Sequence, residues 1–422
     1  MTDNKKGSII GAFSILMLLL CTIAIVACGG GGGGEEEIKT DMLEPRGLHT
    51  ATLLPDGKLI VVGGRAGAAA AAKRGIENAE IYDNSYVPDP DSDASTGPWA
   101  SAGAMQDSRY DHTATLLQNG SILITGGDEQ PGGAFGYYAS TVASRISAEL
   151  YDPSTGSWSK TPDMLREHGL GHTSTLLSDG KVLVTGGLWT EASDRPRVPS
   201  EFAELYDPAS GTWEPTGNMT EGRSKHKAFL LENGNVLVIG GSSAELYDPS
   251  KGTWSKAGNL PSDHGGQFSA TTLQDGRILV AGGGHSRWVE GVEVSPPTPI
   301  NNTDIYDPST GEWSSASNMY APELGHTGTL LPDGKVLTVG PLSAQLYDPA
   351  SDTWSSAGDM STQRGSPMVG GPAGAFHTAT LMPDGKVIIV GGNALGLTKY
   401  GAEDTREGIS SIQIYDPGTG WE

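Results

Sequence analysis

Six of the nine histidines, His49, His112, His172, His226, His326 and His377, recur at one position of a repeated pattern. Imidazoles in such number suggest metal ligation or general-base chemistry. Ligands of one metal must converge, however, whereas residues that return once per repeat are spread evenly through the fold. The six are therefore read as packing residues. A second recurring position carries Arg46, Arg109, Arg223 and Arg364, with His168, His264 and Glu323 in the remaining repeats. Four guanidiniums could hold a carboxylate or phosphate in bidentate fashion. Each could equally pair with an acid of a neighbouring repeat. Asp89, Asp91 and Asp93 have the alternating spacing of a Ca²⁺ loop, but Ala94 stands where a glycine would follow, and a solvated acidic turn is the other reading. No other cofactor is expected, and no residue is singled out as catalytic. Cys21 and Cys28 are the only cysteines, so disulfides, thiolate metal sites and cysteine nucleophiles are excluded from residue 29 onward.

Seven of the nine tryptophans belong to the repeat; Trp189 and Trp288 do not. They fall in long insertions, as do Tyr137, Tyr138 and Tyr400. Flat aromatic faces suit sugar rings and peptide side chains. The alternative is that these rings cap their own loops.

The elements that must position these residues follow from the repeat, which returns seven times. Its first copy runs from Arg46 through His49-Thr-Ala-Thr-Leu-Leu to Asp56-Gly57, then Lys-Leu-Ile-Val-Val and the pair Gly63-Gly64. Ala79-Glu-Ile-Tyr82-Asp83 and Trp99 complete it. Asp-Gly or Asn-Gly between apolar runs marks a hairpin, and Asp-Pro-Ser-Thr-Gly marks a turn. Each copy thus predicts four short antiparallel strands. Tyr-Asp recurs seven times and a Trp follows each; the glycine pair recurs six times and becomes Gly340-Pro341 in the sixth copy.

A glycine pair followed by spaced Tyr and Trp resembles the Kelch family over about 385 residues. The resemblance implies an all-β fold, a seven-bladed β-propeller of four-stranded antiparallel blades starting near residues 46, 109, 168, 223, 264, 323 and 364. It also implies that the Gly, Tyr and Trp markers are packing residues, and that the arginines look out on the central mouth. Phe268 for His, Asn84 for Pro, and Pro341 depart from the pattern. Two Kelch-like enzymes bear comparison. Galactose oxidase uses copper with a tyrosine cross-linked to cysteine, which a chain without cysteine beyond Cys28 cannot form. A sialic-acid mutarotase-like enzyme would need an arginine and an acid/base pair in the mouth, which Arg46, Arg109, Arg223, Arg364 and Glu323 could supply.

In six copies a Met or Leu follows the Trp by six residues, but Trp421 has none, because Glu422 ends the sequence. Met42 precedes Arg46 by four residues, as Met105 precedes Arg109. Residues 36–42 are therefore expected to complete the last blade and close the ring, which removes exposed strand edges. The loops between second and third strands lie on the same face as the interblade connections. They run to roughly 14 to 20 residues in blades 1, 2, 3, 5 and 7 but about two in blades 4 and 6. Long variable loops on a rigid scaffold are where binding sits, and the short ones leave low points in the rim.

The formal charge is −23, which argues against nucleic acid and anionic lipid headgroups as partners. Lys5 and Lys6 precede an apolar run from Ile9 to Ala27 that ends Ile-Val-Ala-Cys28. This is an export signal and resembles the bacterial lipobox, with lipidation on Cys28. Residues 1–28 form the signal peptide, 29–37 a flexible Gly/Glu tether, and 38–422 the propeller. An uncleaved membrane helix is the alternative. Gly30 is not the aspartate associated with inner-membrane retention, which favours the outer membrane or cell surface. The expected function is an extracytoplasmic binding module for a glycan, peptide or protein. The rivals are a periplasmic carbohydrate-active enzyme and a structural scaffold of an envelope complex.

Overall fold

The computed structural model describes residues 41–66, 75–87, 97–129, 145–190, 197–289, 292–341, 343–362, 364, 376–392 and 409–422, with backbone alone for 286–289 and 292–297. Every regular element among them is a β-strand. Seven four-stranded antiparallel sheets form the seven blades of a propeller. In blade 1 the strands are Thr50–Leu53, Leu59–Val62, Ile76–Tyr82 and Trp99–Arg109, from the inside outwards. Blade 7 ends in an outer strand of only two residues, Gly420–Trp421.

Local chemistry draws the strands. In blade 1 Asp56 Oδ1 accepts the Lys58 amide at 3.1 Å, while Gly57 takes φ +85° and donates to Leu54. Asp152 builds the next turn of blade 2, its Oδ1 accepting from Ser154 N at 2.9 Å. Asp and Gly are needed there because one bonds the backbone ahead of it and the other tolerates φ > 0.

The second strands are β-branched runs covered on both faces: Leu59, Ile60, Val61 and Val62 are fully buried. Their side chains alternate between the two neighbouring blades. Ile60 and Val62 pack with Ile122, Ile124 and Tyr151 of blade 2. Leu59 and Val61 pack with Ile388 and Val390 of blade 7. The core is thus a ring of interblade layers, not one central mass. The inner strand of blade 7, His377–Leu381, stands beside that of blade 1.

At the junction of the chain ends, Met42 N donates to Ser410 O at 2.9 Å. Met164 to Ile146 and Met219 to Glu201 repeat that bond elsewhere in the ring. Met42 is buried against Tyr82 and Trp99 of blade 1 and against Met382 and Ile388 of blade 7. Leu43 N and Glu44 N donate to the Glu80 carboxylate of blade 1.

Candidate functional site

Three rings of polar contacts account for the recurring residues. The inner one is made by the histidines. Each is buried, and its Nε2 meets a hydroxyl on the inner strand of the preceding blade: His112 to Thr50 at 3.0 Å, His226 to Thr173 at 2.8 Å, His326 to Ser269 at 2.8 Å. His49 closes the circle on Thr378 at 3.1 Å. Burial is the main force holding His49, His172, His226, His326 and His377 down to about 3, so they are neutral at pH 7. The glycine pair makes room for them. A Cβ on Gly126 would lie 2.8 Å from the His172 ring of the next blade, and one on Gly127 would lie 3.0 Å from His112 of its own blade.

The second ring takes Arg46, Arg109 and Arg223 into ion pairs and away from the mouth, each with an acid of its own blade and not of a neighbouring one. Arg46, Arg109 and Arg364 are fully buried and Arg223 nearly so, and none presents its guanidinium to an open mouth. Arg109 donates to the carbonyls of Gly126 and Ser147 and pairs with Glu149 at 3.1 Å. Arg46 pairs with Glu80, and Arg223 with Glu245 at 3.1 Å. His168 and His264, also buried, bond Glu204 at 3.0 Å and Asp304 at 3.1 Å. The acid belongs to the third strand of the same blade and also accepts amides of the incoming connection, as Glu149 does from Gln106 and Asp107. Each pair therefore fastens an interblade connection to the blade it enters. The acid is visible in the sequence as the Glu of Ala-Glu-Leu-Tyr-Asp, but nothing local to it marks its partner.

Blades 6 and 7 break the pairing. Glu323 faces Ser343 and Gln345, and burial pushes its carboxyl up to about 7. Arg364 bonds Gln413 at 3.0 Å; it has no paired carboxylate among the described residues, and burial brings it down to about 10. Neither lies in an open mouth, so the arginine and acid/base set that a mutarotase-like enzyme needs is not assembled here.

The third ring is made by the repeat tryptophans. Each packs at a tilt against its Tyr, as Trp158 does against Tyr151 with centroids 4.9 Å apart and ring planes at 43°. Trp158 Nε1 donates to Ala102 O of the preceding blade at 2.9 Å, and Trp421 does the same to Ala357 O at 3.0 Å.

What differs between blades is the rim. Blade 3 raises a hairpin from Leu188–Trp189 and Val198–Pro199, and blade 5 a longer one from Gly284–Val289 and Val292–Pro299. Blade 4 between them turns at once from Gly240 to Ser243. These hairpins share their face with the interblade connections: Ser200 bridges Arg223, and Ile300 bridges Glu323. Trp189 is half-buried and meets Phe202 edge-on at 5.0 Å, with Arg166 on the same Phe202 ring. It thus packs on its own blade with part of its face open. The Trp288 side chain, Tyr137, Tyr138, Tyr400, the Asp89/Asp91/Asp93 turn and Cys28 lie outside the described residues.

One feature of the mouth went unread in the sequence. The residue before each inner strand's histidine position is left-handed in all seven blades: Leu48, Asp111, Gly171, Lys225, Gln267, Gly325 and Phe376. Their backbones run round the axis, Asp111 N donating to Leu48 O at 2.9 Å and Lys225 N to Gly171 O at 2.7 Å. Five of the seven are not glycine, and such conformations cost about 1–2 kcal/mol each. No sequence pattern marks the position, because apart from Gly171 and Gly325 its residue differs in every blade.

Comparison with known proteins supports the repeat. The Kelch motif family model matches residues 268–320. Galactose oxidase of Gibberella zeae is 34% identical over 100 residues, which is 24% of this chain and 12% of that protein. The Kelch-like protein terF of Aspergillus terreus is 24% identical over 261 residues, 58% of this chain and 53% of that one. The matched stretches thus span from about an eighth to about half of the length of these relatives. Among solved structures, a fungal alcohol oxidase of the AA5 family in complex with copper aligns with a TM-score of 0.61 at 19% identity, covering 87% of this chain and 74% of that one; the likeness is one of fold. The described residues do not fit copper. The inner histidines point along the ring at one another's strands instead of converging, and their Nε2 atoms are engaged by hydroxyls.

Proposed function

We propose that this Kelch-repeat β-propeller is a binding module that takes a glycan, peptide or protein on the face carrying the hairpins, and that a lipid on Cys28 tethers it outside the cytoplasm. One observation carries the first half of the reading. The polar residues shared by the blades are consumed in holding blades together, and the differences between blades concentrate in the loops from second to third strand. The hairpins of blades 3 and 5 flank the low rim of blade 4, which gives a gap between two walls. A rigid scaffold with variable loops is suited to recognition. Aromatic residues in those loops, Trp189 and Trp288, favour a ligand with flat apolar faces. The likeness to galactose oxidase, confined to 12% of its length, keeps a carbohydrate foremost among ligands to try.

The test is a glycan array probed with the protein beside its Trp189→Ala and Trp288→Ala variants. Binding that both substitutions weaken at least tenfold supports a carbohydrate module on the hairpin face. Binding that neither alters removes that face from the reading, and no binding at all turns it towards a protein partner. The tether has its own test: Cys28→Ser should move the protein from the membrane fraction to the soluble one. If the variant stays in the membrane fraction, lipid on Cys28 is not the anchor.

A further inference from the structure

We propose that the axial channel holds a small oxyanion, a carboxylate or phosphate, on the ammonium of Lys227. The observation begins with the inner histidine ring. Blades 1, 2, 3, 5, 6 and 7 place Thr50, Thr113, Thr173, Ser269, Thr327 and Thr378 at the hydroxyl position, and each bonds the histidine of the blade that follows. Blade 4 places Lys227 there, and blade 5 has Phe268 where the histidine would stand. The two departures fall at the same junction, between blades 4 and 5, so the hydroxyl and its imidazole are lost together.

Phe268 is buried in the layer between blades 4 and 5. An ammonium cannot follow the hydroxyl's path into that apolar contact without losing its hydration. Lys227 is instead exposed along the axis, where it lines a cavity of about 290 Å³ with Ser269, His326, Thr327, His377 and Thr378. Among the described residues it makes no hydrogen bond or ion pair. Lys58, Lys160, Lys181, Lys251, Lys335 and Lys386 each have a carboxylate partner. Lys256, on the outer strand Thr253–Asn259, has none either, but of the two only Lys227 lines the channel, in a chain of net charge −23.

The surrounding charges favour an anion. His226, beside Lys227 in sequence, and His326 on the cavity wall are both held neutral by burial and add no competing charge. At the mouth, Asp111 and Lys225 occupy left-handed positions. That sector carries two lysines against one aspartate, and burial pushes the Asp111 carboxyl up towards its neutral form. Lys227 is open to solvent in the channel but enclosed by its walls, and that enclosure pulls its ammonium down, with Asp111 the opposing influence. A bound anion would reverse that shift, which gives the proposal a direct readout. The cavity volume admits a small ion and not a polymer. This site is separate from the loop face and does not depend on the ligand taken there.

The experiment titrates purified full-length protein with inorganic phosphate and, separately, acetate at constant ionic strength. It follows the Lys227 side chain by NMR and the melting temperature. The expected result is a rise of a unit or more in the Lys227 pKa and a higher melting temperature with at least one of the two ions; which ion acts tells phosphate from carboxylate. The double variant Lys227→Thr with Phe268→His rebuilds the hydroxyl–histidine contact of the other blades, so it should fold and lose the response at least tenfold. Should it fail to fold, Lys227→Met gives the same comparison without the new histidine. If neither ion moves the Lys227 resonance, or if the response survives in the folded variant, the proposal is overturned.

Discussion

At the residue scale the histidines set a pH limit on the fold. Each is neutral and buried, with a folded pKa near 3 in His49, His172, His226, His326 and His377, and well below 6.5 in His112. The unfolded chain protonates them near pH 6.5. Between those values the unfolded state binds more protons, so stability falls as pH falls, by about 1.4 kcal/mol per pH unit for each histidine. Glu323 opposes this. Raised to about 7, it holds a proton that the unfolded chain releases near pH 4.5, so its contribution is lost as pH rises across that window. Asp111 and Glu167, raised by burial as well, act in the same sense, but three carboxyls against six imidazoles leave the histidines dominant. Chemical denaturation should therefore show stability dropping by several kcal/mol between pH 7 and pH 5. A flat profile over that range would mean that the histidines are solvated, contrary to their burial.

At the element scale, the glycine pair and the turn glycines look alike in the sequence, but they answer to different demands. Gly126 has φ +60° and lies against His172 and the backbone of the connection into blade 3. Gly156 in a third-to-fourth strand turn has φ +67° and open space around its Cα. Both substitutions to alanine incur the left-handed penalty of roughly 1–2 kcal/mol. Gly126→Ala must also displace an imidazole and a main-chain carbonyl, which places it with overpacking at an additional ~1–3 kcal/mol. Urea denaturation of the two variants should separate them by at least 1 kcal/mol, Gly126→Ala being the weaker. Equal losses would show that backbone strain alone explains the pair, and that the histidine contact is not tight.

At the scale of the whole molecule, we propose that the segment ahead of Arg46 locks the ring. Met42 bonds blade 7 through Ser410 and is buried between blades 7 and 1, while the next two amides bond Glu80 of blade 1. A propeller without that segment would keep its blades but expose an edge and an apolar layer. Met42→Ala should cost about 2–5 kcal/mol, the range for truncating a buried methionine, and deletion of residues 39–44 should lower the melting temperature further. If both proteins melt with the parent, closure rests on the inner histidine ring alone, where His49 meets Thr378.

The repeat, the four strands per blade and the all-β architecture were legible in the sequence, because they rest on short-range chemistry. Asp-Gly turns, β-branched runs and alternating strands act within a few residues of one another. The histidines could be read as packing residues for the same reason, since a position that recurs in the sequence must recur round the ring. For Arg46, Arg109, Arg223 and Arg364 the sequence offered both a mouth site and an ion pair, and it neither chose between them nor placed the partner. Their carboxylate or amide partners lie 22 to 49 residues ahead on another strand, as Arg223 to Glu245 and Arg364 to Gln413 do. Only the folded blade shows that the intervening loops return each partner to a buried contact and not to an open mouth. Lys227 and Phe268 are 41 residues apart and belong to different blades. Their falling at one junction, and the turning of a lysine onto the axis, were decided by tertiary packing: burying an unpaired ammonium in the layer that holds Phe268 costs more than leaving it in the channel.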